Sequence, residues 1–216
     1  MIDPTYTTKI KERRRTHVKY YLCTDEEVLT EIQEEETKRE QEALSLQSPP
    51  TNALLIDRTQ PFNPSTFIRV GWSIWKGPID GDGLEGEEAQ DERSLVLSEV
   101  DLSQVRFETM LKRGETSIRG EAKLMCLKAS DNILLDAKVL QTLLENQSLI
   151  PERWKEKTNG FTTYIFFDGT ELRSSIGDRY VLYLYRYDSG WDWSSSWLGL
   201  GWDARSPSAV LVQPMP

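Results

Sequence analysis

"RYVLYLYRYDSGWDWSSSWL", residues 179–198, alternates large and small side chains on both sides of a turn signal, the pattern of two strands joined as a hairpin. Reading Asp188-Ser189-Gly190 as a three-residue loop, with Gly190 in the left-handed position, sets Tyr187 against Trp191, Tyr185 against Trp193 and Val181 against Trp197. Tyr185 and Trp193 then share one side of the ribbon with Tyr187 and Trp191, a ladder of cross-strand aromatic pairs. Leu182 and Leu184 face Ser196 and Ser194 on the other side, and Arg186 meets Asp192 near the tip.

Working outward, "TTYIFFDGTELR" (162–173) holds Asp168-Gly169 between two apolar runs, which predicts a type I′ turn with Ile165 facing Leu172. "SPSAVLV" (206–212) predicts a last short strand, so residues 151–216 read as an antiparallel β-meander. Upstream, "ALLID" (53–57), "GWSIWKG" (71–77), "RSLVLSEV" (93–100) and "VRFETML" (105–111) read as short strands, and Asn63-Pro64 as the start of a helical turn. The period then changes to helical in "SIRGEAKLMCLKAS" and in "DAKVLQTLLENQ", the latter with Asp136 as N-cap. Strands followed by helices, without alternation, indicate an α+β fold: a strand-rich 51–150 region with two helices, and the 151–216 meander packed on it.

Residues 1–50 differ in texture. Lys9, Lys11, Arg13, Arg14, Arg15 and Lys19 form a basic cluster, and nine acidic residues crowd into 25–42. Thr24 and Glu27 make a capping box for a charged helix whose apolar stripe is too broken to bury a continuous face. The 9–19 cluster either grips phosphate or an acidic partner, or is neutralised by the glutamates that follow. With a net charge of −9 and a pI near 4.8, the chain as a whole repels nucleic acid, which leaves that cluster as the one place to hold it.

No run approaches the ~18 apolar residues of a membrane span, no secretory leader is legible, and Cys23 and Cys126 are far apart without CxxC spacing. The expectation is a cytoplasmic protein with reduced thiols and no membrane contact. His17 is the single histidine and lies in the basic segment, so the globular part contains no residue for a Ser/His/Asp or Cys/His arrangement. Zincin, nucleophile-elbow and P-loop motifs do not occur in the sequence.

One stretch invites a metal. "GPIDGDGLEGEEAQDER" (77–93) alternates acids with glycines, and Asp80, Asp82, Glu87 and Asp91 could supply oxygens to calcium or magnesium. As an EF-hand it fails, because counting from Asp80 the required glycine is Glu85 and the required bidentate glutamate is Asp91. A solvated acidic loop explains it without any ion.

The segments "IPERWKEKTNG", "YIFFDGTELR", "GDRYVLYLYRYDSGWDW" and "WDARSPSAVL" resemble a module found at the C-terminus of uncharacterised bacterial proteins, and "LIDRTQPFNPSTFI" resembles the segment that often precedes it. The resemblance covers the chain from about Thr51, rests on aromatic and glycine spacing, and implies no activity or cofactor.

The expected function is therefore a non-catalytic bacterial interaction module. Its contact residues would be Tyr185, Tyr187, Trp191, Trp193, Arg186 and Asp192, assisted by the charged N-terminal segment, and its partner a protein or other macromolecule. The alternatives are a metal-dependent enzyme or calcium-stabilised domain built on the 80–92 loop, and an acidic inhibitor that imitates nucleic-acid charge.

Overall fold

A computed structural model of the chain describes residues 53–76, 90–188 and 190–212. The charged segment 1–50, with its expected helix from Thr24, and the loop acids Asp80, Asp82 and Glu87 lie outside them.

The described chain is α+β, with strands β1 (Ala53–Leu55), β2 (Ser73–Ile74), β3 (Glu99–Asp101), β4 (Val105–Glu108), β5 (Ile118–Arg119) and β6 (Ile133–Leu134) in its first half. They are followed by β7 (Tyr164–Arg173), β8 (Arg179–Tyr187), β9 (Gly190–Trp197), β10 (Gly201–Trp202) and β11 (Ser208–Leu211). Helices α1 (Pro64–Phe67), α2 (Glu92–Leu95), α3 (Gly120–Lys128) and α4 (Ala137–Glu145) interrupt the first half. α1 and α4 start where their caps predict: Asn63 Oδ1 accepts from the Ser65 amide at 3.0 Å, and Asp136 Oδ1 accepts from the Val139 amide at 2.9 Å. α2 corrects an expectation, because residues 93–95 form a helical turn where "RSLVLSEV" reads as strand; Asp91 accepts the Arg93 amide at 3.1 Å and stops an extended run from forming.

The principal sheet has the order β4-β11-β7-β8-β9, with β2 also paired to β7 and β6 to β11. β7, β8 and β9 form an antiparallel meander as expected, but β11 joins β7 in parallel, so the sheet is mixed. Strands from residues 51–150 and from 151–216 belong to this one sheet, β4 and β6 pairing with β11 and β2 with β7.

Side-chain alternation splits the core in two. Ile165 and Phe167 of β7, Leu182 and Leu184 of β8 and Ala209 of β11 point to one side, where Val139, Leu140 and Leu143 of α4 close the larger core. Phe166, Val181 and Val210 point to the other, where Leu124 and Leu127 of α3 and Trp202 cover them. A sheet covered on both sides explains why β7 is buried over almost its whole length.

Two turn expectations are corrected. Asp168-Gly169 is no hairpin: β7 runs straight through it, and Tyr164 and Ile165 pair with Tyr185 and Leu184 of β8. Between Phe167 and Leu172 the strand bulges away from β8, and the Gly169 amide donates to the Leu135 carbonyl at 3.0 Å while its own carbonyl accepts from the Asp91 amide at 3.0 Å. Glycine is required there by close approach and not by turn geometry, since a Cβ would collide with the Leu134 carbonyl oxygen and come within 2.8 Å of the Leu135 carbonyl carbon.

The second correction concerns the quoted hairpin. Gly190 belongs to β9 and pairs with Tyr187, leaving two residues between the strands instead of three. One residue fewer in the loop slips the ladder by one position and sends every β9 side chain to the opposite face. Trp191 thus opposes Arg186, Trp193 opposes Leu184, Trp197 opposes Tyr180, and Tyr185 opposes Asp192. The physical preference is plain: this register puts Trp191 and Trp193 beside Leu182 and Leu184 on the larger core, and Asp192, Ser194 and Ser196 on the outer side.

Candidate functional site

The slip turns the mixed aromatic ladder into two surfaces of different chemistry. Of the six residues expected to form one contact surface, Tyr185, Tyr187 and Asp192 share a face, whereas Trp191, Trp193 and Arg186 lie on the other. Trp191 is buried, Trp193 stacks on Phe67 of α1 with centroids 4.5 Å apart, and the Arg186 guanidinium sits 5.9 Å from the Trp191 ring centroid. These two tryptophans belong to the core.

What remains on the outer face is a run of tyrosines. Tyr183, Tyr185 and Tyr187 occupy every second position of β8, and Tyr164 stands opposite Tyr185 on β7. Their rings touch in series, at 5.4 Å between Tyr164 and Tyr183, 5.7 Å between Tyr183 and Tyr185 and 5.0 Å between Tyr185 and Tyr187. The series begins in the smaller core, where Trp202 stacks on Phe166 and Phe166 on Tyr183, and ends at Tyr187, which is 62% exposed. One end of the row is therefore clamped and the other presented. β9 supplies the polar border: Asp192 accepts from the Tyr185 hydroxyl at 3.2 Å, and Ser196 accepts from the Trp202 indole at 3.1 Å. Burial, and then the Asp192 charge, push the Tyr185 phenol up to about 12, so it stays a neutral donor.

Tyr164 and Tyr183 were missed in the sequence, although Tyr183, Tyr185 and Tyr187 at two-residue spacing announce a common face whatever the loop length. Recesses flank the row. One of about 240 Å³ lies at the hairpin tip among Lys155, Lys157, Thr163 and Tyr187, and an open depression of about 520 Å³ lies among Asn159, Phe161, Asp203 and Arg205. The Arg205 guanidinium covers the exposed Phe161 ring at 5.7 Å, and its backbone carbonyl accepts the Tyr164 amide at 2.7 Å, which ties that depression to the end of the tyrosine row.

The ionisable groups inside the protein have structural tasks. Lys123 of α3, fully buried, donates to the Ser206 carbonyl at 2.6 Å, lies 3.9 Å from Asp168, and has the Phe166 and Trp202 rings at 4.9 and 5.0 Å. Burial draws its ammonium down to about 8 against the pull of Asp168, and burial raises the Asp168 carboxyl, which Ser208 also hydrogen-bonds. None of the recesses described here is lined by these three side chains. Glu171, also buried, is held by Lys128 at 2.6 Å and by Arg179, whose guanidinium stacks on Trp75 at 4.3 Å. Arg58 fastens three segments by donating to the Leu97 and Ser94 carbonyls and to Asp136 at 2.7 Å, beside an apolar recess of about 180 Å³.

Asp91 is the one member of the expected metal set within the described residues. Burial tends to raise its carboxyl, but hydrogen bonds from the Arg93 side chain and the Leu134 amide outweigh that and lower it. Its oxygens already cap α2 and hold β6, and no group of three or more His, Cys, Asp or Glu among the described residues could hold a metal. No helix among the described residues is long and apolar enough to cross a membrane. No family model matches this chain, and no curated protein and no solved structure matches it either.

Proposed function

We propose that the chain is a non-catalytic interaction module whose tyrosine face binds a protein partner. The observation that carries this reading is the run of touching rings from Tyr164 to Tyr187 beside Asp192 and Ser194. Tyrosine offers wide, rigid contact area for little loss of side-chain freedom together with a hydroxyl at the rim, and serine adds adaptable hydrogen bonds, the combination that antibody binding loops use. The Tyr185 hydroxyl, its one hydrogen given to Asp192, keeps lone pairs that suit acceptance from a partner's backbone amide. The charged 1–50 segment adds long-range steering to the contact.

The test is capture from lysate of the native cell with the wild-type chain and with Tyr183→Ala/Tyr187→Ala. A protein retained by the first and lost from the second, at unchanged melting temperature, supports the reading. Equal retention by both would remove the tyrosine face from the function.

A further inference from the structure

Among the described residues β9 ends the sheet, and no described strand pairs with its outer edge, over a stretch that is symmetric in sequence. The direction of its backbone groups follows from one contact: the Gln147 side-chain amide donates to the Trp191 carbonyl and accepts from the Trp191 amide, both at 3.2 Å. Trp191 therefore aims its main-chain groups away from β8, and by the alternation of an antiparallel ladder Trp193, Ser195 and Trp197 do the same. Gln147 acts as a one-residue substitute strand that closes the edge at Trp191; beyond it the Trp193 amide donates to Asp192 Oδ1 at 2.8 Å, while the Trp193 carbonyl and the Ser195 and Trp197 amides face outward.

The open piece reads Trp193-Ser194-Ser195-Ser196-Trp197, the same in both directions about Ser195. It holds no proline, lysine or arginine, the residues with which natural edges prevent pairing. We infer that this edge is a self-association site, where β9 of a second copy pairs antiparallel about a two-fold axis through Ser195. Ser195 meets Ser195 of the partner subunit, and Trp193 meets the partner's Trp197. Each outward group faces an outward group, so Ser195 exchanges both hydrogen bonds with its copy and each Trp197 amide donates to the partner's Trp193 carbonyl. The Trp197 carbonyl stays with the Leu200 amide at 3.1 Å. Trp197, 42% exposed, gains a tryptophan neighbour across the axis. Residues paired across an antiparallel ladder share a face, so the two tyrosine rows lie on one side of the joined sheet, separated by serines. The pairing itself does not depend on what the tyrosines bind.

The experiment is sedimentation equilibrium of the full chain over a range of concentration, with wild type and Ser195→Pro. Proline at an outward-facing edge position removes the amide the pairing needs and spares the β8–β9 bonds. A dimer in wild type that is lost in Ser195→Pro is expected, strengthened by salt because each chain carries −9. Ser195→Cys in a Cys23→Ser/Cys126→Ser background provides the check on register, and should give a disulfide-linked dimer on mild oxidation. A wild-type chain that stays monomeric overturns the proposal, as does a dimer that survives Ser195→Pro. Monomers with protected Ser195 and Trp197 amides in hydrogen exchange would assign the edge to another segment of the same chain, and also overturn it.

Discussion

Tyr185 lies directly opposite Asp192, with its hydroxyl donating to the Asp192 carboxylate, while Trp193, the next residue, opposes Leu184 on the other side of the sheet. Replacing Asp192 with Asn removes the negative charge and keeps the shape. Since burial is the larger cause of the raised Tyr185 ionisation and Asp192 the next, the phenol should titrate below about 12 in Asp192→Asn yet above an ordinary tyrosine. Phenolate absorbance, assigned with Tyr185→Phe, reads this; an unshifted titration would remove Asp192 from the account.

Gly169→Ala should destabilise the protein by about 3 kcal/mol, because the new methyl meets the backbone of β6, which has no rotamer to move away. Urea unfolding measures it. A loss below about 1 kcal/mol, as expected for an exposed site, would mean that the bulge relaxes freely.

Lys123 carries a pH signature. Its ammonium is depressed in the folded state, so between about 8 and the ordinary lysine value the unfolded chain binds the proton that the folded one has released. Stability must then rise with pH through that window. The urea midpoint of wild type should gain on Lys123→Met between pH 7.5 and pH 9.5, a window of about two units chosen to lie below the ordinary lysine pKa. Parallel behaviour of the two proteins would show that Lys123 is not held in this environment.

Glu171 is buried between Lys128 and Arg179, and Glu171→Gln leaves both cations without their carboxylate. The expected loss is about 3 kcal/mol, that of breaking a buried pair from one side. Thermal melting of both proteins across a salt series checks it; a loss of only a few tenths of a kcal/mol, or one that added salt removes, would class the cluster with surface pairs.

The sequence carried local signals faithfully where one residue sufficed to cause the structure. Asn63 and Asp136 cap their helices because an oxygen on a short side chain reaches its own helix amides. It misled where two causes produce the same letters. Asp168-Gly169 reads as a turn, but glycine also answers to crowding, and the crowding comes from Leu134 and Leu135, distant in sequence. The tyrosine face was half legible: the two-residue spacing of Tyr183, Tyr185 and Tyr187 fixes a common side, but which tryptophans join it depends on loop length. Alternation within "WDWSSSW" was the better guide, since sending Asp192, Ser194 and Ser196 to the core would bury groups that cost free energy there. No pattern in the sequence foretold the Gln147 contact that reveals the open edge of β9.

The account turns on the β8–β9 pairing, and nuclear Overhauser contacts between α-protons read it directly, since facing residues that do not exchange hydrogen bonds bring those protons closest. Contacts from Leu184 to Trp193 and from Arg186 to Trp191 are the predicted result. Contacts from Tyr185 to Trp193 and from Tyr187 to Trp191 would contradict it, returning the tryptophans to the tyrosine side and dissolving the surface on which the proposed function rests.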